Sequence, residues 1–80
     1  MTRDEWIDLN PLRKWRDKKS LVQGDVSAAM GITTQTVKLW ERGETRPSED
    51  HMTKLGEVTG IKALGKAWAK WFDQGELITL

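Results

Sequence analysis

Residues Gln23 to Gly43 read QGDVSAAMGITTQTVKLWERG, and the spacing of their apolar groups decides the fold. Val26, Met30, Val37 and Trp40 stand four, seven and three residues apart, which gives each of two short helices one inward stripe. Gly31 falls between them. With no side chain it accepts the left-handed backbone that ends a helix, and Ile32 then Thr33 supply an apolar staple and the N-cap of the next. The pattern is helix, tight turn, helix. Ser27 and Ala28 are small where the first helix lets the second cross closely, so the second is expected to stand proud of the body. Its outward face then carries Thr34, Gln35, Lys38, Leu39 and Arg42. Hydrogen-bonding and cationic groups dominate that face, which is the chemistry needed by a helix laid in a major groove.

With their neighbours, these residues resemble the lambda-repressor-like, or XRE-type, helix-turn-helix family. The resemblance covers about Leu12 to Ile61: Leu12 and Arg16 in a first helix, Gln23 opening the next, and Gly31 at the turn. Trp40-Glu41-Arg42-Gly43 then closes the recognition helix, and Arg46-Pro47-Ser48 follows. It implies an all-α fold: a single five-helix domain over residues 1–80, with a short extra helix in front, a family-like core at about 12–61 and a last helix at about 62–74. It also implies a partly buried ion pair between Arg16 and Glu41, whose rupture would cost about 3–5 kcal/mol by stranding a charge. Carried onto this sequence, the family's DNA contacts fall on Gln23, Thr33, Arg42 and Arg46 for the backbone. Thr34, Gln35, Lys38 and Leu39 fall to the base edges. The chemistry agrees: Gln35 can bond an adenine bidentately, Lys38 can donate to guanine acceptors, and Leu39 can press on a thymine methyl. Two residues depart from the pattern. Val22 holds the usual Ser/Thr cap position and Gly24 weakens the first turn, which Asp25 partly offsets by its charge near the helix N-terminus.

Composition sets the frame. Eighty residues make one domain with a small core. The absence of cysteine excludes disulfides and thiolate metal sites and fits a reducing compartment. No apolar run reaches the length of a membrane span, and Thr2-Arg3-Asp4-Glu5 does not read as a signal peptide. The expected location is the cytoplasm of a bacterial or phage-infected cell, in association with the nucleoid, with no membrane partner. The net charge of +1 is no argument for nucleic acid by itself. Its distribution is more informative, since Arg13, Lys14, Arg16, Lys18 and Lys19 crowd residues 11–20 against Asp17 alone. His51 is the single histidine, and the carboxylates are scattered through helical positions. The sequence therefore offers no catalytic residue, metal site or cofactor.

Elsewhere the signals are mostly caps and stripes. Thr2 stands three residues before Glu5, a capping box, with Trp6 and Leu9 expected to pack on one side; Asp4, Glu5 and Asp8 argue against a basic arm for the minor groove. Asn10-Pro11 opens a helix whose inner face is Leu12, Trp15 and Arg16, and Leu21 plugs the core after it. Ser48 caps a further helix with Glu49 and Asp50 in its first turn, Met52, Leu55 and Val58 inward, and Thr59-Gly60 as its stop. His51, on its second turn, is expected to be exposed. The last helix, about Lys62 to Gln74 with Gly75 ending it, carries Leu64, Trp68, Trp71 and Phe72 on one face and a solvated row of Lys62, Lys66 and Lys70.

Five tryptophans are more than so small a core should need. Trp40 matches a family core position. Trp68 and Trp71 read as core or as contact surface; the expectation is a homodimer in which Trp68, Trp71 and Phe72, with Leu77 and Ile78, join two copies. Such a dimer sets two recognition helices about 34 Å apart on a near-palindromic operator in double-stranded DNA, as a repressor would. The alternative is a protein-interaction module, because the fold also serves antitoxins that bind a protein partner.

Overall fold

Helices in this chain begin, with two exceptions, where a short polar side chain can satisfy the first free N–H groups. The computed structural model, which describes the backbone of residues 2–79 and the side chains of residues 2–73, contains six of them. They are α1 (Arg3–Leu9), α2 (Pro11–Lys19), α3 (Gln23–Met30), α4 (Thr34–Glu41), α5 (Glu49–Thr59) and α6 (Gly65–Thr79). No strand occurs among the described residues, so the fold is all-α. Thr2 and Glu5 close a reciprocal capping box, with N···O distances of 3.1 and 3.2 Å. Asn10, Thr33 and Ser48 accept from the backbone N–H three residues on, at 2.9, 3.2 and 3.3 Å. Val22 has nothing to cap with, and the Asp25 carboxylate instead accepts from the Val22 N–H at 2.8 Å. The acid thus supplies half of a capping box where this chain lacks the expected Ser/Thr cap.

Between α3 and α4, Gly31 takes φ 71°. The Ile32 N–H donates to the Ser27 carbonyl at 3.0 Å and the Gly31 N–H to the Ala28 carbonyl at 3.4 Å, a Schellman closure. Ser27 is buried at this crossing, but Ala28 is exposed and plays no part in it.

Leu12, Val26, Val37, Leu55 and Trp68 lie fully inside, surrounded by Trp6, Met30, Trp40, Leu64 and Trp71. Several expectations need correcting. Leu9 is 47% exposed while Trp6 alone carries α1 inward. His51 is half-buried with its ring tilted against Trp40, at 5.7 Å between centroids. The last helix begins at Gly65 because residues 62–64 form a turn in which Ala63 takes φ 56°, a conformation that drops Leu64 into the core. Lys62 is therefore not part of the helix, and the basic row reduces to Lys66 and Lys70. Nor does Gly75 end α6, which runs on to Thr79; a glycine inside a helix costs only about 1 kcal/mol.

The largest correction concerns the tryptophans. Trp68 is 0% and Trp71 7% exposed within a single chain, so both are spent mainly in its own core. Trp6 stacks on Trp71, with centroids 5.5 Å apart and planes at 15°, and meets Trp68 edge-on at the same distance. Phe72 is half-buried, while Leu77 and Ile78 lie outside the residues whose side chains are described. No helix among the described residues is long and apolar enough to cross a membrane.

Candidate nucleic-acid interface

α4 is amphipathic by sequence, with Val37 and Trp40 buried and Thr34, Gln35 and Lys38 on the opposite side, exposed. Gln35, Lys38 and Arg42 follow one another at helical spacing, and Arg42 is exposed as well. The Thr34 hydroxyl lies 3.2 Å from that of Ser27, which ties the start of α4 to α3. Thr33 is exposed, and its hydroxyl, besides capping the helix, lies 2.9 Å from that of Thr36. Leu39 is half-buried, so it offers only part of its side chain to an outside ligand. Arg46, on the turn after α4, is exposed with its guanidinium 5.8 Å from the Phe72 ring centroid.

Behind this face the helix is fixed by charge. Arg16 Nε and Nη2 donate to the two carboxylate oxygens of Glu41, each at 2.7 Å, and Arg16 Nη1 donates to the Leu21 carbonyl at 3.1 Å. Arg16 is 9% and Glu41 3% exposed, so the pair is sealed between α2 and α4. The hydrogen bonds that Arg16 donates to Glu41 raise the Arg16 pKa above its ordinary value, which keeps the guanidinium charged. Gln23 joins the same cluster, its amide N–H donating to Glu41 Oε1 at 3.3 Å. Half-buried at the start of α3, Gln23 keeps its amide oxygen and a second N–H for other partners.

The carboxyl end of α4 is held by side chains in a role that periodicity did not mark. A helix leaves its last carbonyls without intrahelical partners. Here four consecutive carbonyls receive side-chain donors. Trp6 Nε1 and Trp68 Nε1 donate to Trp40 at 3.4 and 3.0 Å, and Asn10 Nδ2 to Glu41 at 3.0 Å. Arg3 Nη1 donates to Arg42 at 3.2 Å and Trp71 Nε1 to Gly43 at 2.9 Å. Gly43 makes this possible: it is buried at φ 71°, and a Cβ there would run into the Trp71 indole nitrogen and come within 2.8 Å of Trp6. Asn10 was legible as a cap but not as a buried bridge. The Trp-Glu-Arg-Gly sequence at 40–43 shows no trace of its donors, which come from 28 to 39 residues away.

Among the described residues no group of three or more His, Cys, Asp or Glu could hold a metal ion. A search of curated proteins and a search of solved structures each gave no match. A family model does match, under the description Helix-turn-helix, over residues 12–65, which takes in α2 to α5 and leaves α1 and nearly all of α6 outside. With two-thirds of its length in that match and α4 presented as described, the chain belongs to the XRE, or lambda-repressor-like, helix-turn-helix family of DNA-binding transcription regulators.

Proposed function

We propose that this protein is a sequence-specific repressor, encoded by a phage or a small operon, that lays α4 in the major groove. One observation carries this reading: Thr34, Gln35 and Lys38 stand exposed on a helix whose other end is tied down by five side-chain donors. A helix whose backbone is already fixed suits base readout, because only its outward side chains remain to be ordered on binding. Gln35 reads adenine and Lys38 guanine, with Thr34 and Leu39 beside them. Gln23, Thr33, Arg42 and Arg46 hold the flanking phosphates. The operator is near-palindromic and binds a homodimer. With Trp68 and Trp71 spent in the core, contact between copies falls to Phe72 and the end of α6, including Leu77 and Ile78. Selection of bound sequences from a random DNA pool tests specificity and symmetry together. An enriched motif of two inverted half-sites supports the reading; a pool that stays random under competing DNA overturns it.

A second reading, that of an antitoxin or protein-interaction module, has its own support. Trp6, Leu9, Pro11, Ala67 and Trp71, with the charged Glu5 and Lys70, line a groove of about 370 Å³ between α1 and α6, and Leu9 is 47% exposed. Purely nonspecific, salt-sensitive DNA binding in a mobility shift would favour this alternative.

A further inference from the structure

Arg3 precedes the matched stretch, yet it reaches the turn that leaves the recognition helix. Besides its bond to the Arg42 carbonyl, Arg3 Nη1 stands 3.7 Å from Glu44 Oε1, while Arg42 Nε stands 3.6 Å from Glu44 Oε2. One carboxylate therefore faces two guanidiniums, one with each oxygen. Both separations exceed the roughly 2.7–2.9 Å of a tight charge-assisted bond. The side chains of Arg3, Arg42 and Glu44 are 49, 57 and 38% exposed. Loose, solvated pairs of this kind exchange partners easily. A phosphodiester presents the same chemistry as Glu44, one negative charge shared by two oxygens, and the planar arginine fork matches it. The backbone around these groups is already fixed, since Trp6 and Asn10 tie α1 and its end to Trp40 and Glu41.

We propose that Arg3 and Arg42 form a clamp for one backbone phosphate of duplex DNA beside the carboxyl end of α4. Glu44 is the resident anion that the phosphate must displace. The inference rests on the reading of α4 as the DNA-binding helix. It makes α1 a DNA-contacting addition in front of the helix-turn-helix, and Glu44 the residue that holds its affinity down.

The test uses the full chain on two duplexes, the selected sequence and a scrambled one, across a range of salt. Glu44→Gln binds both duplexes roughly three- to tenfold tighter, because two ion pairs no longer have to be broken. Arg3→Gln binds both more weakly and flattens the salt slope by about one. The gain from Glu44→Gln shrinks in the double variant, and Arg3→Lys falls between Arg3→Gln and the parent. Unchanged affinity and salt slope in both single variants on both duplexes would overturn the clamp and leave a purely structural ion network. Failure of the base-reading assignment looks different: the parent protein would not distinguish the duplexes, while the clamp variants still shift both alike. Binding to neither duplex would overturn both.

Discussion

At the amino end of α4, Thr34 and Gln35 stand in solvent; at the carboxyl end, the carbonyls of Trp40, Glu41, Arg42 and Gly43 are each held by a side chain from another element. One end is left open and the other closed. The contrast separates two duties that one short helix must combine. The open end can vary in residue type with little effect on folding, since exposed substitutions usually shift stability within about 0.5 kcal/mol. The closed end cannot. Three indoles and an amide converge there out of solvent and each needs its partner, while the Arg3 guanidinium joins them from the exposed rim.

Substitutions at the two ends should therefore fail in different ways. The largest effect is expected from Arg16→Ala, which strands the buried Glu41 carboxylate and costs about 3–5 kcal/mol in denaturant unfolding. Replacing both partners together by apolar residues of similar size recovers most of that loss; if the double variant is no more stable than Arg16→Ala, the cost lies in packing and not in the stranded charge. Next comes Gly43→Ala. It meets a left-handed backbone and the Trp71 and Trp6 rings at once, for a combined loss of about 2–5 kcal/mol, read by thermal unfolding. A loss under about 1 kcal/mol would show that the indoles yield easily and the closed end is softer than drawn.

Gln35→Ala turns the contrast round. Stability should hold within about 0.5 kcal/mol, while affinity for the selected sequence falls by about 1–3 kcal/mol at one base position. Retention of the parent's preferred sequence and affinity would remove Gln35 from the readout. The smallest effect concerns the cap of α1. Hydrogen bonds from the Thr2 backbone and hydroxyl lower the Glu5 pKa below its ordinary value. A carboxylate depressed on folding contributes stability above its unfolded pKa and loses it as pH falls through the folded value. The difference in melting temperature between the parent and Glu5→Gln should thus be present at neutral pH and shrink away as acid takes the pH down through and below the ordinary carboxylate range. A difference that persists in acid would assign it to something other than the charge.

What could be read from the sequence divides along the same line. Thr2, Asn10, Thr33, Ser48 and Gly31 act on neighbours within a few residues, so their roles are written in local spacing. The exposed side of α4 follows from the same arithmetic, because Val37 and Trp40 fix which way the helix faces. The closed end is another matter. Nothing local pairs Trp71 with Gly43, 28 residues earlier, or Asn10 with Glu41, 31 residues later. Surplus aromatic residues read equally well as an interface or as a core, and only the packing of α1 against α6 decides for the core. Ala63 misled for a related reason: alanine is the best helix former, so its left-handed backbone gave no warning that α6 starts late.

The parallel stack of Trp6 on Trp71 gives the protein an optical signature of its own. Two indoles face to face couple their electronic transitions, and they do so only while the first helix lies against the last. Circular dichroism in the indole bands, together with emission quenching, would then report directly on the docking of these two segments, which are the parts this chain adds around its inherited centre.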